Sequence, residues 1–191
     1  MDQVHERLTF QMGEAEWQEL KTTICIPGFR GAILGPKGYG KSTLCERLLM
    51  EARQEEWSGH TIRLSSSDNA RSCKDAVEEL LADLRPRDKL LVILDGAEQL
   101  RHREWSRFLR RVPQQAALLI TSHEAGRLPT IFTCQTSPAL LADLARQCWP
   151  EVWEVLDLNP AELWHQTDGN IRDALAELYH RCADLPDDGR G

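Results

Sequence analysis

The spacing of apolar residues alternates along the chain between compact runs and helical repeats. The compact runs predict five strands, at residues 30–34, 61–64, 89–95, 117–121 and 130–134. Apolar residues at helical spacing lie between them and predict helices, including one at 74–84, which begins after Ser72 and ends before Pro86, and one at 98–111. This alternation is typical of an α/β fold with a mostly parallel sheet.

The C-terminal part of the chain contains helix signals only. Ser137, Asn159 and Asn170 each stand where a side chain can cap the start of a helix, and proline follows the first two. We therefore predict a small helical subdomain at 135–185, behind an α/β core at 23–134. In the same prediction, residues 1–22 form an N-terminal helical segment and residues 186–191 a flexible tail.

Composition narrows the class of protein. The chain has 191 residues and a formal net charge of −7, which argues against a surface that binds nucleic acid over its whole extent. Its six cysteines are scattered, without a C-x-x-C pair, and this indicates reduced thiols. No apolar run approaches the length of a membrane span, and residues 1–20 carry charges where a signal peptide has an apolar core. These observations predict a cytoplasmic protein without membrane contacts.

The stretch "ILGPKGYGKST" at 33–43 carries the most specific chemistry in the sequence. It fits G-x-x-x-x-G-K-[ST] between an apolar strand and an amphipathic helix. Glycines allow residues 35–40, here called the glycine loop, to direct backbone N–H groups at an anion, and the helix start adds positive character. In this prediction Lys41 reaches the β- and γ-phosphates and the Ser42 hydroxyl binds Mg²⁺. The predicted nucleotide contacts are Gly35, Pro36, Lys37, Gly38, Tyr39, Gly40, Lys41, Ser42 and Thr43.

A carboxylate at the end of a neighbouring strand would complete such a metal site. Asp95 ends the apolar run "LLVILD" and is predicted to bind Mg²⁺ together with Ser42. Hydrolysis also needs a group that orients water. Glu98 and Gln99 lie directly downstream, and the sequence leaves open which of the two has this role.

These residues resemble P-loop ATPases of the additional-strand class, in particular AAA+ proteins and STAND switch ATPases. "LLVILDGAEQL" is similar to the STAND magnesium strand, Asp-Gly-apolar-Asp-Glu, with Glu98 and Gln99 at its two acidic positions, whereas many other P-loop ATPases have glutamate in place of Gly96. "LLITSHE" resembles a sensor at the end of the fourth strand, which implies roles for Thr121 and for His123 in place of an arginine. "GNIRDAL" resembles the second AAA+ sensor, which implies that Arg172 contacts the γ-phosphate, and also the Gly-Asn-Pro motif of STAND helical domains. Over residues 24–182, the resemblance implies a three-layer P-loop NTPase with a helical lid.

The connection between the fourth and fifth strands is short. The nine residues from Ser122 to Thr130 are fewer than a helical crossover needs, and this favours STAND proteins over ring-forming AAA+ proteins as relatives. Arg127 in this connection is either an arginine finger for a neighbouring subunit or an ordinary loop residue. We favour the loop residue.

An arginine-rich helix follows the third strand. With Trp105, Phe108 and Val112 turned inward, its arginines spread over an exposed face. This face either binds nucleic acid or an acidic partner, or is simply solvated, and we favour the solvated face. The arginines are Arg101, Arg103, Arg107, Arg110 and Arg111.

The sequence as a whole predicts an ATP hydrolase that turns over Mg-ATP slowly and acts as a nucleotide-dependent conformational or assembly switch. Its output then passes to a protein partner or to a second copy of the chain. One alternative is a small P-loop kinase, which would need more lid arginines than Arg146, Arg172 and Arg181. The other is a non-catalytic nucleotide-binding scaffold, which Gly96 and His123 favour. The choice of ATP over GTP rests on the resemblance.

Overall fold

The structure is a computed structural model that describes residues 10–65, 67, 69–84, 88–150 and 159–183. Its strands are Arg30–Leu34 (β1), Ser58–Arg63 (β2), Leu90–Asp95 (β3), Ala117–Ser122 (β4) and Thr130–Thr133 (β5). Its α-helices are Glu14–Ile24 (α1), Lys41–Gln54 (α2), Ala70–Asp83 (α3), His102–Arg111 (α4), Pro138–Cys148 (α5), Pro160–Gln166 (α6) and Ile171–Ala183 (α7). A 3₁₀ helix covers Ala97–Gln99.

The five strands form one sheet in the order β2-β3-β4-β1-β5, and every adjacent pair is parallel. The predicted α/β class and five-stranded sheet are thus confirmed. Every residue of β3 and β4 is buried, whereas β2, at one edge, is mostly half-exposed. The sequences of β3 and β4 are nearly continuous apolar runs because central parallel strands are covered on both faces. Since the strands are parallel, the segments after β1, β3 and β4 leave the sheet at the same edge.

Apolar stripes on the helices form the core beside the sheet. Trp105 and Phe108 of α4 are buried, as is Val112 directly after it, and this confirms the predicted inward face. Phe108 has no exposed surface and contacts the cluster that contains Leu94 and Leu118. Burial of one such large apolar side chain contributes about 1.5–3 kcal/mol.

The connection from β4 to β5 holds no helix, as its length predicted. Residues 123–128 form bends, and β5 pairs with β1 instead of β4. The Ala32 N–H donates a hydrogen bond of 2.9 Å to the Pro129 carbonyl, which ties the end of this connection to β1.

The predicted start of α3 is wrong. The helix begins at Ala70, and its cap is Asn69, whose side-chain oxygen accepts a 2.9 Å hydrogen bond from the Ser72 N–H. Both residue types are good caps, and the sequence alone did not show which of them comes first. Pro86, which was predicted to end this helix, lies outside the described residues.

Two further element boundaries differ from the prediction. The helix expected at 98–111 is two elements, because Leu100 and Arg101 have extended backbone between the 3₁₀ helix and α4. β2 begins at Ser58 and ends at Arg63, instead of covering 61–64, because it pairs with β3 over its whole length. This pairing is a tertiary contact that the apolar pattern of β2 does not show.

The chain divides into two compact units. One contains residues 10–35 and 41–134, and the other contains residues 36–40 with the described residues from 135 onward. In the second unit α5, α6 and α7 enclose their own apolar cluster, which includes Leu141, Leu163 and Leu178. The three predicted caps are confirmed, since side-chain oxygens of Ser137, Asn159 and Asn170 accept backbone N–H bonds from Leu140, Ala161 and Asp173.

The N-terminal helix α1 packs its apolar side inward. Trp17, Leu20 and Ile24 are buried, so the helix extends past the boundary predicted at residue 22. Within the ranges given above, no helix is both long enough and apolar enough to cross a bilayer.

Candidate functional site

The glycines of the glycine loop occupy positions where other residues fit poorly. Gly38 and Gly40 have φ values of +81° and +84°, which side chains with a Cβ rarely adopt. Gly35, at the end of β1, is packed so closely on Cys134 that an added Cβ would lie 3.1 Å from the Cβ of that residue. Pro36 and Lys37 are exposed between them, and Thr43 is half-buried in the first turn of α2.

Lys41 is the first residue of α2, and its ammonium group lies against the backbone directly after β1. The residue is only 8% exposed, and Nζ donates a 2.6 Å hydrogen bond to the Gly35 carbonyl. Burial lowers the pKa of this amine, while the carboxylates of Glu98 and Asp95 act in the opposite direction. A cation that has lost much of its hydration gains strongly from an anionic ligand.

The Asp95 carboxylate brings together three elements at one edge of the sheet. At the end of β3, Asp95 accepts a 2.6 Å hydrogen bond on Oδ2 from the Ser42 hydroxyl of α2. On Oδ1 it accepts a 2.5 Å bond from the hydroxyl of Thr121 at the end of β4. Asp95 is 7% exposed and Thr121 is fully buried, so the carboxylate is fixed in orientation. The structure thus collects Lys41, Ser42, Asp95 and Thr121, four residues that the sequence predicted separately.

Gly96, directly after Asp95, is held on two sides. Its N–H donates a 2.8 Å hydrogen bond to the Thr121 hydroxyl, and its φ is +88°. A Cβ added to it would stand 2.3 Å from the Leu64 carbonyl oxygen. Packing therefore accounts for the glycine that directly follows Asp95.

Sequence reasoning missed Arg63, which also binds Asp95. Its Nε lies 2.9 Å from Asp95 Oδ2, and its Nη2 lies 2.8 Å from Glu46 Oε1 on α2. Arg63 is the last residue of β2 and stands opposite Asp95 in the β2–β3 register. A prediction of β2 at Ser58–Arg63, paired with β3, would have placed Arg63 beside Asp95.

Glu98 and Gln99 lie on the 3₁₀ helix that follows Gly96. Glu98 Oε1 is 3.6 Å from His123 Nε2 and 3.4 Å from Gln99 Nε2. Glu98 Oε2 is buried and has no hydrogen-bond partner among the described residues. His123 comes directly after β4 and its side chain is 42% exposed. The Glu98 carboxylate thus acts electrostatically on Lys41 and keeps one oxygen that can accept a hydrogen bond.

Arg127 makes its contacts within its own chain. Its Nη2 donates a 2.5 Å hydrogen bond to the Leu100 carbonyl, and the guanidinium lies 5.2 Å from the ring centroid of Trp105. These contacts anchor the β4–β5 connection to the 3₁₀ helix and α4. They favour the loop-residue interpretation over an arginine finger.

In the second unit, the tip of the glycine loop contacts the turn between α6 and α7. The Tyr39 hydroxyl donates a 3.2 Å hydrogen bond to the Asp168 carbonyl. Gly38 lies against the side chain of Asn170, so close that an added Cβ would overlap Asn170 Oδ1. Arg172 is exposed in the first turn of α7, two residues after Asn170.

The arginine-rich helix α4 is partly neutralised by its neighbour α3. Glu78 forms ion pairs with Arg107 and Arg111, and the Arg111 hydrogen bond lowers the pKa of the Glu78 carboxyl. All five arginines of residues 101–111 are exposed. Two of the five are thus engaged within the chain, and this agrees better with a solvated face than with a surface for nucleic acid.

No family model and no curated protein matches this chain. Among solved structures, matching chains include NtrX from Brucella abortus, with a TM-score of 0.58 and 12% sequence identity. The match covers 98% of this chain and 55% of the NtrX chain, so this chain spans about half the length of that protein. At this identity the likeness shows the fold alone. It supports an α/β domain with a parallel sheet.

Proposed function

We propose that this chain is a P-loop ATPase of the additional-strand class, related to AAA+ and STAND proteins, and that it binds Mg-ATP at the glycine loop. The observation that carries the proposal is the meeting of Lys41, Ser42 and Asp95 at the sheet edge where that loop leaves β1. A buried cation, a hydroxyl and a carboxylate are the groups that phosphates and Mg²⁺ require.

The residues present fit both ligands. Lys41 and the backbone of the glycine loop would hold the phosphates, because a desolvated ammonium group gains strongly from an anionic ligand. Ser42 Oγ and Asp95 Oδ2 are 2.6 Å apart and are the hard oxygen ligands that Mg²⁺ prefers. A bound Mg-nucleotide would supply the phosphoanhydride bond and neutralise charge that develops on its oxygens.

The sheet order supports the assignment to the additional-strand class. β4 lies between β1, which leads into the glycine loop, and β3, which ends at Asp95. An extra strand at this place is what the name of the class describes. Thr121 on β4 then fixes the Asp95 carboxylate through Oδ1 and leaves Oδ2 directed at Ser42.

We propose slow hydrolysis, with Glu98 or Gln99 orienting water and Arg172 of the helical lid responding to the γ-phosphate. Since Gly96 has no room for a side chain, the next acid along the chain after Asp95 comes three residues later, on the 3₁₀ helix. The nucleotide state would then act as a switch, read by a protein partner or a second copy in the cytoplasm. The packing of Gly96 also favours the second candidate, a scaffold that binds nucleotide without turnover.

Substitution of Lys41 tests the proposal. Lys41→Met keeps the aliphatic stem but removes the charge, so we expect it to fold and to lose triphosphate binding by roughly 10-fold or more. Lys89→Met, at an exposed lysine before β3, is the matched control and keeps the parental affinity. Calorimetric titration with ATP measures the affinity, and thermal unfolding verifies the fold. A folded Lys41→Met protein with parental affinity would overturn the proposal. Binding without phosphate release would select the scaffold.

A further inference from the structure

Asp95 Oδ2 has two donors, and one of them is a cation. The oxygen accepts from Ser42 Oγ at 2.6 Å and from Arg63 Nε at 2.9 Å. Oδ1 is occupied by Thr121 at 2.5 Å. The proposed Mg²⁺ ligand is therefore paired with a positive charge that belongs to the protein itself.

Arg63 and Asp95 differ in their freedom to move. The Asp95 side chain is 10% exposed and held by groups on β4 and α2, whereas the Arg63 side chain is 56% exposed. Arg63 also has a second carboxylate, Glu46, at 2.8 Å. If the guanidinium left Asp95, it would keep this ion pair and gain water, so part of the cost of its displacement would be offset.

We propose that Arg63 is a resident counter-cation that competes with the divalent metal for Asp95 Oδ2 and so sets how strongly the nucleotide site depends on Mg²⁺. This inference rests on the proposed function. A metal ion at Ser42 and Asp95 would stand beside the guanidinium, and two adjacent cations repel each other. Removal of the arginine takes one of the two donors from Asp95 Oδ2 and leaves the carboxylate charge uncompensated, and both effects favour the metal.

The quantity to measure is the gain in nucleotide affinity that Mg²⁺ provides. A non-hydrolysable ATP analogue is titrated calorimetrically in EDTA and in saturating Mg²⁺, and the ratio of the two dissociation constants is compared between variants. For Arg63→Gln we expect this ratio to rise roughly threefold or more. Arg63→Lys, which keeps the charge at this position, stays near the parental ratio.

The control is Arg53→Gln, which removes the same charge from the last turn of α2. Arg53 is exposed and its Nη2 lies 3.5 Å from the Gly59 carbonyl, so its loss leaves Asp95 unchanged. If Arg63→Gln leaves the Mg²⁺-dependent gain in nucleotide affinity equal to that of the parent, or lowers it, the proposed competition is wrong. The proposed function would stand in that case, because the parent still binds nucleotide. If the parent binds no analogue in either buffer, the proposed function is overturned and this inference with it.

Discussion

Gly96 lies directly against the backbone of Leu64. A Cβ added at Gly96 would stand 2.3 Å from the Leu64 carbonyl oxygen, which is a steric clash. The Leu64 N–H in turn donates a 2.8 Å hydrogen bond to the Asp95 carbonyl, so the end of β2 cannot shift without disturbing Asp95. Gly96→Ala therefore combines an unfavourable φ with a backbone clash. We expect it to lower the free energy of unfolding by about 2 kcal/mol or more, measured by urea denaturation.

Gly126 provides the matched control for this prediction. Its φ is +108°, and no atom lies within 4 Å of an added Cβ. Gly126→Ala therefore has only the conformational cost of a left-handed residue, which is about 1–2 kcal/mol. Equal losses for the two variants would show that close packing on Leu64 does not determine the residue at position 96.

The sequence predicted which residues meet at this sheet edge better than how they are packed. Lys41, Ser42 and Asp95 were singled out because their residue types and spacing fit a site for phosphate and Mg²⁺. The reason for Gly96 was not found, because it lies in the contact with Leu64, which depends on how β2 packs beside β3. Packing of this kind is set by tertiary pairing and has no local pattern.

Glu98 is the residue whose replacement tests catalysis. Glu98→Gln keeps the side-chain shape but removes the proton acceptor, so we expect analogue affinity to persist and phosphate release to slow by roughly 10²-fold. The amide has the same size and can still accept the hydrogen bond from Gln99, so we expect the variant to fold, which thermal unfolding verifies.

Gln99→Ala is the companion variant, since Gln99 lies on the same 3₁₀ helix. Unchanged phosphate release in Gln99→Ala would agree with Glu98 as the group that orients water. The opposite result, with parental turnover in Glu98→Gln and a loss in Gln99→Ala, would assign that role to Gln99.

Arg63 illustrates a second limit of the sequence. An arginine at the end of an edge strand has no motif, and its contact with Asp95 follows from the parallel register that places the two residues side by side. The helical caps were found because a cap acts on residues two or three positions away along the chain, as Ser137 and Asn159 do. The sequence thus predicted local interactions, and the structure added the pairings between distant segments.

We expect Cys134 to make the free energy of unfolding depend on pH in the alkaline range. Burial raises its pKa from 9.0 to about 12, with Lys41 acting in the opposite direction. Between these values the unfolded thiol loses its proton and the folded one keeps it, so the free energy of unfolding falls as pH rises from 9.0 towards about 12. One such group contributes at most about 1.4 kcal/mol per pH unit.

Cys134→Ala should therefore lose less stability on alkalinisation than the parent does. Urea denaturation of both proteins at about pH 8 and about pH 10.5 measures the difference. Burial also raises the pKa of Cys45, and the Cys45→Ala, Cys134→Ala double variant should be less pH-dependent still. Parallel pH profiles for parent and Cys134→Ala would show that Cys134 does not cause the loss of stability at alkaline pH.

Arg172 is the residue through which the helical lid would distinguish ATP from ADP. It is exposed in the first turn of α7, where the helix dipole disfavours a positive charge, so a ligand anion would be a better partner than water. Since ADP lacks the γ-phosphate, we expect Arg172→Ala to keep ADP affinity and to lose roughly 3- to 10-fold of the preference for a non-hydrolysable ATP analogue. Arg181→Ala is the control on the same helix, because Arg181 pairs with Glu177 and should leave the preference unchanged. If Arg172→Ala discriminates between the nucleotides as the parent does, His123 becomes the better candidate, since Arg127 is already engaged with Leu100 and Trp105.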